Sequence, residues 1–62
     1  MNTYKILVVD DEKIFREGTS GILESIDGLE PLEAKNGREA LESIRKQDIH
    51  AMVLDIKMPQ MD

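Results

Sequence analysis

Two short apolar runs that each end in aspartate constrain this chain more than any other feature. Residues 5–9 are rich in β-branched side chains and are followed by Asp10 and Asp11. A second run, residues 51–54, is followed by Asp55. Continuous apolar runs of this length are typical of strands buried on both faces of a parallel sheet. The sequence therefore predicts two inner strands whose carboxyl ends carry acidic side chains.

The segment after the first run predicts an amphipathic helix. Apolar or small residues recur there at four-residue spacing, and we expect this stripe to face the sheet: Ile14, Gly18, Ile22 and Ile26, with Phe15 and Leu23 beside it. The helix is predicted over residues 13–26, and Asp27-Gly28 is expected to end it through a left-handed cap.

The next segments predict a strand, a helix and a strand. Residues 29–34 form a weaker strand that is expected at a sheet edge, because Pro31 cannot donate to a strand ladder. Asn36-Gly37 turns the chain, and residues 38–46 predict a second, short helix. The last strand is predicted within residues 49–55.

The resulting βαβαβ order predicts an α/β fold. Strands that alternate with helices imply right-handed crossovers and a parallel sheet covered by helices. No linker or internal repeat divides residues 1–62, so we expect one small domain of marginal stability. In such sheets ligands bind at the carboxyl ends of the strands. Asp10, Asp11 and Asp55 are predicted at that edge.

Composition excludes several classes of partner. The 13 acidic and 8 basic side chains give a net charge of −5, which disfavours direct binding to nucleic acid or to an anionic membrane surface. The longest uninterrupted apolar run, residues 6–9, is far shorter than the roughly 20 residues of a membrane span. Cysteine is absent, so no disulfide bond stabilises the core. We expect a cytoplasmic protein.

Each aspartate has a structural explanation as well as a functional one. Asp10 or Asp11 could cap the following helix, and Asp55 could be a turn residue. Together, however, the carboxylates repel one another unless a cation neutralises them. All-oxygen ligation with room for water suits Mg²⁺ best. Such a metal would also let an anionic phosphoryl donor approach a carboxylate nucleophile.

The motifs ILVVDDE at residues 6–12 and VLDIKMPQMD at 53–62 resemble the N-terminal half of a bacterial two-component response-regulator receiver domain. The resemblance implies three strands of a doubly wound, flavodoxin-like sheet in the order 2-1-3. It implies that Asp55 is the phosphoacceptor for a histidine kinase. Asp11 matches the direct Mg²⁺ ligand, Asp10 a ligand acting largely through water, and the Lys57 backbone carbonyl a further ligand.

The chain departs from the family by its length. Receiver domains run to about twice as many residues, and the family's hydroxyl residue on the fourth strand and lysine at the end of the fifth have no counterpart here. We therefore expect a truncated receiver domain that lacks the C-terminal half needed for full activity. We expect the third strand to present an exposed apolar edge and the chain to form a homodimer through it, or to bind a complementary half.

Other functions stay open at this point. The main alternative is a folding or interaction fragment that dimerises and is not phosphorylated. A metal-dependent phosphohydrolase is disfavoured because Lys57 stands two residues after Asp55, where such enzymes place a second acid. A flavin-binding module is disfavoured because residues 9–12 lack a phosphate cradle.

Overall fold

The computed structural model describes residues 2–55 of the 62-residue chain. Five elements follow one another: β1 (Tyr4–Val9), α1 (Lys13–Glu24), β2 (Leu29–Ala34), α2 (Gly37–Lys46) and β3 (Ala51–Leu54). The strands form one parallel sheet in the order β2-β1-β3. The predicted fold class, the strand order and the edge position of β2 are confirmed.

The core lies on both faces of β1. On one face Leu7 and Val9 pack with Ala34 of β2 and Ala40 of α2, and Leu32 and Ile49 border this cluster. On the other face Val8 is 2% exposed and lines a depression beside α1. The last three residues of β1 are buried, because the strand has a neighbour on each side and a helix near each face, and this part of its sequence is accordingly apolar without alternation.

Helix α1 contacts the sheet through a different face from the one its apolar stripe predicted. Ser20 is buried, and Arg16, Thr19 and Leu23 are half-buried. The members of the predicted stripe with large side chains are exposed: Ile14, Phe15, Ile22 and Ile26. The short Ser20 side chain allows close approach to the sheet, and the hydrogen bond from Arg16 to Glu33 of β2 fixes the rotation of the helix. The prediction that this apolar stripe faces the sheet is therefore wrong.

The connection between α1 and β2 is longer than predicted. The helix ends at Glu24, and the Ser25 hydroxyl donates to the Ile22 carbonyl at 2.6 Å. Gly28 has φ +89°, so its left-handed conformation is confirmed. It lies in the turn that leads into β2 and does not cap the helix, since the capping position is Ser25.

Helix α2 begins with a reciprocal cap. The Asn36 Oδ1 accepts from the Glu39 backbone N–H at 2.9 Å, and the Glu39 Oε1 accepts from the Lys35 N–H at the same distance. The first bond satisfies a donor that the first turn of a helix leaves open, and the second ties the Glu39 side chain back to the residue before the cap. The Asn36-Gly37 turn predicted from the sequence is thus the start of α2.

Strand β3 is aligned at its start by His50. The His50 N–H donates to the Lys5 carbonyl at 2.9 Å, and the His50 Nδ1 accepts from the Lys5 N–H at 2.9 Å. All four residues of β3 are exposed, and within residues 2–55 this strand pairs with β1 alone. An exposed apolar edge is what the sequence predicted for it.

Within residues 2–55 neither helix is long and apolar enough to cross a bilayer.

The position of Leu7 generates a stability prediction. Leu7 is 0% exposed, whereas Leu41 on α2 is 55% exposed. We expect Leu7→Ala to lower the free energy of unfolding by about 2–5 kcal/mol, because it leaves a cavity in the core. Leu41→Ala, the same change at an exposed position, should stay within about 0.5 kcal/mol of the parent. Urea unfolding followed by circular dichroism measures both, and equal effects would contradict the assigned core.

Candidate functional site

The register of the sheet brings polar residues from all three strands to one edge. Val9 pairs with Ala34 of β2 and with Leu54 of β3. The next residue on each strand is therefore Asp10, Lys35 or Asp55. Backbone hydrogen bonds continue past the strand ends, from the Asp10 N–H to the Ala34 carbonyl and from the Asp55 N–H to the Val9 carbonyl, both at 3.1 Å. The sheet itself holds these residues in a row.

The three aspartates predicted to act together line one depression of about 260 Å³. Its other lining residues come from the ends of β1 and β2 and the start of α2: Val9, Lys35, Asn36 and Gly37. Asp10 and Asp55 also line a depression of about 420 Å³ on the α1 side, beside Phe15, Thr19 and Val53. We place the candidate site in the smaller depression, because it is lined by all three aspartates, whereas the larger one lacks Asp11.

Asp10 and Asp11 have different surroundings. Asp10 is 7% exposed, and its Oδ1 accepts from the Glu12 N–H at 2.9 Å, which closes a tight turn after β1. Asp11 is exposed at the bend within this turn. Asp10 is thus held by the turn, and Asp11 is presented outwards by it. The N-cap residue of α1 is Glu12, so neither Asp10 nor Asp11 occupies the capping position.

Asp55 is exposed at the tip of β3. Its backbone is fixed by the hydrogen bond to Val9, so the carboxylate is both accessible from solvent and anchored to the sheet. Lys57, the predicted backbone ligand, lies outside the described residues.

Lys35 is the cation that lines the depression. Its side chain is 63% exposed, and its Nζ is 3.9 Å from the Glu39 Oε2. An ion pair this long and exposed contributes little stability, so Lys35 is not held tightly by Glu39. Sequence reasoning missed Lys35, although its place directly after an edge strand could have indicated it.

Arg16 of α1 contacts the backbone of the turn that carries the acidic pair, and the sequence analysis did not identify it. Its Nη1 donates to the Asp10 carbonyl at 2.9 Å, and its Nε donates to the Glu33 Oε1 at 3.0 Å. The Arg16 side chain is 15% exposed. This residue therefore joins α1, β2 and the turn that carries Asp10.

The donor chemistry of the depression suits a hard cation. Asp10, Asp11 and Asp55 supply only carboxylate oxygens, which are the ligands that Mg²⁺ prefers. Within residues 2–55, however, no group of three acidic, histidine or cysteine side chains is close enough to form a metal site by itself. The predicted Mg²⁺ ligand set, which includes the Lys57 carbonyl, accordingly stays a prediction.

Comparison with known proteins gives a family match over most of the chain. The family model described as "Response regulator receiver domain" matches residues 6–62. No solved structure matches.

Curated relatives agree with this match. A protein-glutamate methylesterase/protein-glutamine glutaminase 1 of Oleidesulfovibrio alaskensis is 46% identical over 59 residues, which are 94% of this chain and 16% of that protein. The uncharacterized transcriptional regulatory protein YesN of Bacillus subtilis is 44% identical, covering 95% of this chain and 17% of that protein. Response regulator RR06 of Streptococcus pneumoniae is 46% identical, and the match covers 89% of this chain and 25% of that protein. The chain thus spans a quarter or less of these relatives.

Proposed function

Because the chain belongs to the receiver-domain family of two-component response regulators, we propose that Asp55 accepts a phosphoryl group from the phosphohistidine of a sensor histidine kinase. The observation that carries this proposal is the row formed by Asp10, Lys35 and Asp55 at the carboxyl edge of the sheet. Only Asp55 in this row combines exposure with a position directly after an apolar strand and next to the acidic pair.

The proposed reaction is a transfer of one phosphoryl group between two side chains. A carboxylate oxygen of Asp55 attacks the phosphorus, the O–P bond forms, the P–N bond to the kinase histidine breaks, and the imidazole nitrogen keeps the electron pair. Catalysis of such transfers consists mainly of positioning and electrostatic stabilisation. The depression provides positioning through the hydrogen-bonded ends of β1 and β3, and Lys35 provides a positive charge at its rim.

The electrostatic difficulty of this reaction lies in bringing an anionic donor to three carboxylates. Receiver domains generally use Mg²⁺ for phosphorylation, and we propose Asp10, Asp11, Asp55 and the Lys57 backbone carbonyl as its holders in this chain. When bound, Mg²⁺ supplies positive charge that offsets repulsion between carboxylate and phosphoryl group. The chain is proposed as a phosphoacceptor module and not as an enzyme with turnover of its own.

The proposed setting follows from charge and family. A net charge of −5 suits a protein partner or a cation better than nucleic acid or an anionic bilayer, so we propose that this segment contacts neither directly. A kinase-linked phosphoacceptor of this kind is proposed to act in the cytoplasm, with residues 1–62 supplying the first three strands and two helices of a receiver domain. The activities named for the longer relatives are not proposed for it.

Self-association through β3 is a further part of the proposal. In the described part of the chain, the outer edge of β3 has no strand partner, and its four residues are exposed. Depressions with exposed apolar residues flank it on both faces, with Phe15 and Val53 in one and Ile44 and Met52 in the other. Exposed apolar edges pair readily with another strand. We commit to a second copy of this chain as the partner, arranged by a two-fold axis.

The acidic pair generates a prediction about metal binding. We expect Mg²⁺ to raise the free energy of unfolding, by about 1.4 kcal/mol at ten times its dissociation constant, because it binds the folded chain. Asp11→Asn should remove most of this gain. Asp48→Asn, at an exposed position before β3, removes one acidic charge away from the site and should keep it. Thermal unfolding at a series of Mg²⁺ concentrations measures this stabilisation. An equal stabilisation of the parent, Asp11→Asn and Asp48→Asn would contradict the shared site.

Asp55 generates a prediction about phosphorylation. Incubation with acetyl phosphate and Mg²⁺ should add one phosphoryl group, detected by mass spectrometry and lost on treatment with base or hydroxylamine, as expected of an acyl phosphate. Asp55→Asn should abolish the adduct, whereas Asp48→Asn should retain it. An adduct that persists in Asp55→Asn would show that another residue is the acceptor.

The exposed β3 edge generates a prediction about assembly. Sedimentation of the 62-residue chain at micromolar concentration should show a dimer. Val53→Lys should shift it to monomer, because the charge would be buried at the interface yet remains tolerable at an exposed position of the single chain. Leu41→Lys, exposed on α2, is the matched control and should leave the dimer intact. A compact monomer of the parent chain would refute self-association.

A further inference from the structure

Arg16 makes contacts that the proposed reaction does not use. Its guanidinium binds the Asp10 carbonyl through Nη1 and the Glu33 carboxylate through Nε, and it does so while largely buried. We propose that Arg16 is a positioning residue, which sets the direction in which Asp11 leaves the sheet and so tunes the affinity of the acidic pair for a divalent cation. The inference rests on the Mg²⁺ site proposed above.

The geometric argument concerns one peptide plane. The Asp10 carbonyl and the Asp11 N–H belong to the same planar unit, so a hydrogen bond that fixes the carbonyl also fixes the amide of Asp11. Arg16 holds this plane from the α1 side at 2.9 Å. The Asp10 Oδ1 holds the next N–H, that of Glu12, at 2.9 Å. Asp11 lies between these two restraints, and its backbone is constrained from both sides.

Glu33 fixes the guanidinium that makes the first of these restraints. The Arg16 side chain is a planar fork, so binding its Nε to the β2 carboxylate at 3.0 Å leaves the Nη1 N–H in a defined direction. The α1 backbone is anchored at the same point, since the Arg16 N–H donates to the Glu12 carbonyl at 2.9 Å. Helix, edge strand and turn therefore meet at one side chain. A lysine ammonium has no such fork.

Charge and position predict opposite outcomes for removal of Arg16. As a cation near an acidic site, Arg16 repels Mg²⁺, so its removal would tighten binding if it acted only through charge. As a positioning residue, Arg16 preorganises Asp11, so its removal would weaken binding. The direction of the change therefore separates the two roles without reference to its size.

The first experiment is a Mg²⁺ titration of the 62-residue chain followed by NMR. We expect Arg16→Met to weaken Mg²⁺ binding on the order of tenfold, the scale set by loss of one hydrogen bond from a charged donor. Arg45→Met removes a positive charge from the exposed end of α2 and should leave binding unchanged or slightly tighter. Unchanged or tighter binding in Arg16→Met would overturn the inference.

A second readout needs no metal. Amide hydrogen exchange at Glu12 should accelerate by roughly tenfold in Arg16→Met, while the amides of Leu7 and Val8 should keep their protection, because β1 is paired independently of Arg16. Unchanged exchange at Glu12 would overturn the inference even if Mg²⁺ binding fell. If the parent chain binds no Mg²⁺, the proposed metal site fails, and this exchange measurement still decides whether Arg16 holds the turn.

A conservative variant and a double mutant complete the test. Arg16→Lys keeps the charge and lacks the fork, so it should reproduce the faster Glu12 exchange. It also replaces Arg16→Met if that variant does not fold, and full rescue by lysine would overturn the inference. Glu33→Ala removes the acceptor of the Arg16 Nε–H, so it should accelerate Glu12 exchange in the parent but add nothing in Arg16→Lys, since Glu33 acts through Arg16. Glu30→Ala, on the same strand, is the control and should have no effect.

Discussion

Parallel pairing of β1 on both of its edges is the constraint on which the rest of the structure depends. It buries Leu7 and Val8, and it places the carboxyl ends of all three strands at one edge of the sheet. The row of Asp10, Lys35 and Asp55 follows directly, because Val9 is in register with the last residue of each neighbouring strand. Main-chain hydrogen bonds of the sheet therefore build the candidate site. The helices and the turns next to them contribute the charged residues that surround it.

Much of this arrangement could be predicted from the sequence because the relevant signals are local. The runs before Asp10 and Asp55 identify inner strands, Pro31 identifies an edge strand, and the alternation of strands with helices determines parallel pairing. Together they are sufficient to place the three aspartates at one edge. The predicted role of the Lys57 backbone carbonyl stays a prediction, since the structure describes residues 2–55.

What could not be predicted depends on contacts between distant residues. The rotation of α1 is set by Ser20 and by the bond from Arg16 to Glu33, which are 17 positions apart, so apolar spacing within the helix gives no information about it. Ile14 illustrates the error: it belongs to the apolar stripe, yet it is 81% exposed. Likewise, no local pattern indicates that His50 substitutes for a backbone acceptor at the start of β3.

The register of β1 also has a consequence for the order in which the chain folds. Its partners in β2 lie 25 positions later, from Tyr4 to Leu29, whereas those in β3 lie 45 positions later, from Ile6 to Ala51. Closing the longer loop costs about 0.5 kcal/mol more conformational entropy. The β1–α1–β2 unit is also complete first as the chain leaves the ribosome. We therefore expect β3, with Asp55 at its tip, to join last and to open first, so that the acceptor carboxylate is assembled onto an edge that already exists.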